Sequence, residues 1–202
     1  MAKRKDKKVE QPKGNIESQV GYCGNLNIKV MRGNRIVKEF NEHNTGTKRL
    51  FTGLALALIG DNNKSWYNYL PKFLGFGTNN SVATSFNEPD LKAACKTGTS
   101  PNQVPVRVAI SSGNPYVDSV GSIDVGIIAP FTAVIPYASI KSFLGDPGIG
   151  EFGLFSDIDG ETLLARITLT NPITNIDEGM NLLLTWTLSI RNIPPTNTTT
   201  NT

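Results

Sequence analysis

The chain predicts an all-β protein: an antiparallel β-sandwich, jelly-roll-like, with one inserted α-helix. Three observations carry that expectation. First, residues 181–190 alternate, with Leu182, Leu184, Trp186, Leu188 and Ile190 on one face and Asn181, Thr185, Thr187 and Ser189 on the other; only Leu183 breaks the polar side. A period of two places one face in a core and leaves the other to solvent. Second, the apolar runs 149–155 and 163–169 flank Asp159-Gly160, a pair suited to a hairpin turn. Third, short strand-like runs separated by Gly and Pro recur along the chain around a single helical stretch.

In chain order, the first strand is expected over residues 25–31, with Leu26, Ile28 and Val30 on one face. Arg32-Gly33-Asn34-Arg35 supplies a tight turn into a return strand over 36–40. A helix is expected near 45–60, capped by Asn44 or Thr47, striped by Leu50, Leu54 and Leu58, and stopped at Gly60. It is apolar nearly all round, so it should be buried between layers or against a neighbouring subunit. A strand over 71–77 ends in Gly75-Phe76-Gly77, and a polar connection to about residue 103 holds at most a short helix near 88–94. Strands are expected at 104–110, 122–128, 131–137, 149–155, 163–169 and 181–190. Gly113-Asn-Pro115, Ala129-Pro130, Gly145-Asp-Pro-Gly148 and Asn171-Pro172 separate them. No repeat recurs at a fixed period.

A chain of 202 residues, 39% hydrophobic and 18% charged, has the composition of a folded globular protein with room for one substantial core. Three parts are expected: a basic flexible arm at 1–20, the sandwich at 21–191, and a polar flexible tail at 192–202. Residues 1–14 hold six basic groups, Lys3, Arg4, Lys5, Lys7, Lys8 and Lys13, against Asp6 and Glu10. The whole chain is only +3, so its basic character belongs to the arm and the rest is close to neutral. No apolar run follows the basic start, so no secretory signal is expected. The most apolar stretch, 50–60, is far shorter than the roughly 20 residues that span a bilayer. Cys23 and Cys95 alone imply no disulfide framework; two free thiols are expected, the alternative being one bridge between them.

Reactive chemistry is sparse. His43 is the sole histidine, which removes most acid–base and zinc constellations, and neither cysteine sits in a catalytic signature. No catalytic, cofactor-binding or metal-binding residue is expected. Gly75-Phe-Gly77 and Gly148-Ile-Gly150 complete no phosphate-binding motif and read as close backbone packing. Asp157-Ile-Asp-Gly-Glu161 places its glycine too early for a calcium loop and reads as a turn. Glu151 and Arg166, on strands that pair across it, form a partly buried ion pair in this reading.

Two clusters remain as interaction candidates. Lys3, Arg4, Lys5, Lys7 and Lys8 suit an acidic neighbouring subunit or a solvated tail better than nucleic-acid phosphates, since the arm has no aromatics and no recognition helix. Trp66, Tyr67 and Tyr69 suit a sugar-stacking platform, or, as the simpler reading, packing at the helix end.

The order of motifs from Asn44-Thr-Gly-Thr-Lys-Arg-Leu-Phe51 through Phe73-Leu-Gly-Phe-Gly-Thr78, Asp90-Leu91, Arg107, Ile149-Gly-Glu-Phe-Gly-Leu-Phe155, Leu164-Ala-Arg166 and Trp186 is suggestive. Over residues 25–191 the chain resembles small structural proteins of tailed bacteriophages, the tail, collar, fibre-associated or head-decoration components. The resemblance implies a non-enzymatic virion protein, made in the bacterial host cytoplasm. It also implies assembly in several copies and docking onto other virion structural proteins, with no membrane role. The arm and the Thr/Asn tail lie outside the pattern. The alternative is a carbohydrate-binding or host-receptor module of β-sandwich type.

Overall fold

The computed structural model describes residues 19–60, 62–80, 85–120 and 123–193. Lys3, Arg4, Lys5, Lys7 and Lys8, with the rest of the arm to residue 18 and the tail from residue 194, lie outside the described residues. The fold is mainly antiparallel β-structure in a sandwich-like arrangement, as the strand patterning predicts. In chain order come β1 (Gln19–Arg32), β2 (Arg35–Gly46), α1 (Lys48–Leu58) and a 3-10 turn at Ser65–Tyr69. Then follow β3 (Phe73–Gly77), β4 (Lys96–Thr97), β5 (Val104–Pro105), β6 (Arg107–Ala109), β7 (Ser111–Ser112) and β8 (Tyr116–Val120). The chain continues with β9 (Ile123–Pro136), α2 (Tyr137–Ile140), a 3-10 turn at Lys141–Phe143, β10 (Ile149–Phe155), β11 (Leu163–Ile173) and β12 (Met180–Ile193).

The strands join in the order β6-β3-β10-β11-β2-β1-β12-β9-β7, with β8 also on β9 and a separate β4-β5 pair. One half of the sandwich is β2-β1-β12-β9 with its β7/β8 edge; the other is β11-β10-β3-β6. They meet where the end of β2 pairs with β11 through Thr45 opposite Arg166 and Gly46 opposite Ala165. Register explains the core. Leu26 stands opposite Trp186 and Trp186 opposite Phe131, while Ile28 faces Leu184, which faces Ala133. These rows pack against Phe76, Phe152, Leu154 and Ile167 of the other half in a single apolar cluster.

Several boundaries differ from the sequence reading. Asn44-Thr-Gly46 belongs to β2, not to the helix, because the strand runs on to reach β11. Thr47 holds the N-cap position of α1, yet its hydroxyl donates to the Leu163 and Leu164 carbonyls (2.8 and 3.0 Å), pinning the helix to β11. The expected strands 122–128 and 131–137 are one strand, β9. Pro130 is tolerated there because it falls between the stretch of β9 paired with β8 and the stretch paired with β7, where no ladder donor is needed. Asn171-Pro172 lies within β11 rather than ending it. The short helix near 88–94 does not form: the Lys92 and Ala93 N–H groups turn inward to the Glu151 carboxylate instead of to helical carbonyls (3.3 and 2.7 Å). Gly160 at φ +72° makes the turn between β10 and β11 as expected.

Candidate interaction surface

Most chemistry-bearing side chains are spent on one another inside the sandwich. Glu151 on β10 and Arg166 on β11 are both 0% exposed, so the pair is fully rather than partly buried. Arg166 donates from Nε to Glu151 Oε2 at 2.7 Å, and its Nη1 lies 3.4 Å from Glu88 Oε2. The deeper burial arises because the loop from Ser85 to Cys95 folds over the pair and brings Glu88 with it. That loop has no periodicity to announce its position. Burial alone would push the Glu88 carboxyl up; the Lys92 ammonium at 2.6 Å, the Ser85 N–H and the Arg166 guanidinium together hold it below the usual carboxylate range. At Gly77 a Cβ would collide with the Ala93 carbonyl and the Glu151 carboxylate, so the glycine pair on β3 serves close packing.

Arg107 on β6 performs a similar task for the β10–β11 loop. It donates to the Asp157 and Gly160 carbonyls (both 2.8 Å), approaches Asp90 at 3.4 Å, and stacks 3.8 Å from the centroid of Phe155. Desolvation lowers its pKa from the ordinary value, against the pull of Asp90, Asp159 and Asp157. The acidic loop is therefore ordered by a guanidinium. Among the described residues no group of three or more His, Cys, Asp or Glu side chains is placed to hold a metal ion. Cys95 is buried and free, and burial reinforced by Glu151 pushes its thiol up to about 12, far from a reactive thiolate. His43 is exposed on β2. No described helix is long and apolar enough to cross a membrane.

The aromatic cluster is split by the structure. Tyr69 packs on α1 directly over Gly53, where a Cβ would strike the Tyr69 side chain, and the Arg49 guanidinium lies 4.9 Å from its ring. Arg49 also donates to Ser156 Oγ (3.2 Å) and the Asn68 carbonyl (3.4 Å), tying the 3-10 turn, the helix and the end of β10 together. Trp66 is half-buried and stacks on Tyr67 with ring centroids 4.0 Å apart. Tyr67 alone of the three is exposed. Trp66 and Tyr69 thus wall one side of an apolar cavity of about 240 Å³ that α1 shares with the sheet residues Tyr22, Leu188 and Ile190. Its lining carries no charged side chain. The sequence marked the aromatics and the all-round apolar helix. It did not mark Ile127, which completes the same lining, because its strand lacks a clean alternating pattern.

The chain matches no family model, and comparison with curated proteins and with solved structures finds no similar protein.

Proposed function

We propose that the chain is a non-enzymatic structural protein of a tailed-phage particle, present in several copies and docked onto other particle proteins of the tail, neck, collar, fibre base or head surface. One observation supports this most. The residues that carry the phage resemblance, spread from Thr47 to Trp186, converge on the interior: Thr47 on β11, Asp90 with Arg107, Glu151 with Arg166, and Trp186 at the centre of the core. Residues so placed hold a scaffold, and a scaffold whose polar groups are paired internally works through its outer surfaces. A buried thiol and an exposed lone histidine fit that role better than turnover does. A sugar-reading role for the aromatics has less support, because two of the three rings are engaged with the helix. The basic arm suits a contact with an acidic neighbouring subunit.

Removal of residues 1–14 is expected to lower incorporation into particles severalfold while leaving the melting temperature of the purified protein within about 2 °C of wild type, since every core residue among the described residues is retained. Particle yields of the truncated and full chains, measured side by side, check this. Normal incorporation of the truncated chain sinks the assigned role of the arm.

A further inference from the structure

The segment from Ser85 to Cys95 crosses the sandwich with little apolar material of its own. Between Ser85 and Ala94 only Glu88 and Leu91 are buried, Leu91 against Phe155 and Leu163. Its backbone is held mainly through carbonyls: Phe86, Pro89 and Ala93 accept from the Lys48, Leu163 and Thr78 N–H groups (2.7, 3.2 and 2.9 Å). At its end the Cys95 N–H donates to the Phe76 carbonyl at 2.9 Å. The middle is held by charge, and the hold is reciprocal. The segment sends the Glu88 carboxylate to Arg166 of β11 (3.4 Å), while its Lys92 and Ala93 N–H groups donate to Glu151 of β10 (3.3 and 2.7 Å). The partly exposed Lys92 ammonium braces Glu88 from the solvent side at 2.6 Å.

We infer that residues 85–95 form a strap that opens as a unit, ahead of the sandwich, when the Glu88 carboxylate takes up a proton. This goes beyond the structural role proposed above and does not rest on it. A neutral Glu88 releases Lys92, which already reaches the surface and turns to water at little cost. Arg166 keeps Glu151, its closer partner at 2.7 Å, so β10 and β11 stay joined while the strap is let go. Leu91 is then the main apolar hold on the strap, whereas the core beneath keeps Phe76, Phe152, Leu154 and Trp186. A segment with few buried apolar contacts opens first. The surroundings set the pH. Lys92, Arg166 and the Ser85 N–H favour the charged form, as do Lys48 and Arg49 of α1, which line one groove with Glu88. Glu161 on the rim of that groove and Glu151 behind Arg166 oppose it, and Asp90 is turned away to Arg107. The balance holds the Glu88 carboxyl below the usual carboxylate range. The clasp is therefore complete at neutral pH and is lost as pH falls through that lowered value.

Cys95, 3% exposed at the end of the strap, reports its opening. The test is the rate at which dithiodipyridine, a disulfide that also reacts with thiols in acid, labels Cys95 in the full chain carrying Cys23→Ser. Rates are taken from pH 7 down to about pH 3 and divided by those of the urea-unfolded chain, while near-ultraviolet circular dichroism follows the core. Labelling should be slow at pH 7 and at least about tenfold faster in acid, at pH values where the dichroism is unchanged. Glu88→Gln should label at least about tenfold faster than its parent at pH 7, with the core signal intact, and should lose most of the response to acid. Labelling that stays slow throughout, or that accelerates only as the dichroism collapses, overturns the strap as a separate unit. A folded Glu88→Gln chain that labels at the parent's rate overturns Glu88 as its clasp. Should Glu88→Gln not fold, the pH series on the parent decides alone.

Discussion

Replacing Arg166 with methionine should destabilise the fold by about 3–5 kcal/mol, the usual consequence of removing one partner from a buried ion pair. For a chain of this size that is a fall in Tm of roughly 6–20 °C. The cause is not the loss of one favourable bond. Glu151 is 0% exposed and Glu88 nearly so, and without the guanidinium the Glu151 carboxylate keeps only backbone N–H donors, from Lys92 and Ala93. Desolvation of that charge then goes uncompensated. The same reasoning predicts partial rescue. Glu151→Gln in the Arg166→Met background removes the buried charge while the amide oxygen still accepts from Ala93, so the double variant should melt above the single one. Urea titration of the wild type, the single variant and the double variant checks both statements. A single variant within about 1 kcal/mol of wild type would remove the network from its place in the scaffold.

Truncating Trp186 to alanine should cost a similar 3–5 kcal/mol, by cavity formation rather than by electrostatics. Trp186 is 0% exposed at the middle of β12, with Leu26 and Phe131 as its cross-strand neighbours, and no rearrangement of two flanking strands fills the space of an indole. Trp186→Phe should be far milder. Among the described residues the indole N–H has no acceptor, so phenylalanine loses ring area but also relieves an unpaired buried donor. Chemical denaturation of the two variants, read by circular dichroism, tests the contrast. Equal costs for phenylalanine and alanine would mean that the indole N–H is bonded after all.

The sandwich was legible wherever a face is encoded by spacing. β12, β1 and β10 follow from alternation and apolar runs, and the turn between β10 and β11 from Asp159-Gly160. The Leu50, Leu54, Leu58 stripe located α1, and the helix's apolar circumference already implied either burial or a neighbouring subunit. In the structure the helix is buried at Leu50 and Gly53 and bare at Leu58 and Ile59, so its apolar circumference is only partly covered by the sheet. What escaped the sequence depends on distant partners. The loop carrying Glu88 reads as a polar connection with at most a short helix, because nothing local shows that Lys92 and Ala93 donate to Glu151. The depth of the Glu151–Arg166 pair is hidden for the same reason: the cover comes from a loop whose Ala93 and Lys92 lie 58 and 59 positions before Glu151. Pro130 looked like a break because its tolerance rests on a gap between β7 and β8, two short strands that pair on β9 from outside. The cavity beside α1 is equally hidden, since it takes register across three strands to place Tyr22, Ile190 and Ile127 in one row.

As proposed above, these residues build a multi-copy particle component whose working parts are its surfaces. Quantitative mass spectrometry of purified particles made by the genome that encodes the chain tests this most directly. The account predicts the chain in every preparation, in several copies per particle and in a constant ratio to the other structural proteins. A chain that is abundant in the infected cell yet missing from washed particles would contradict it.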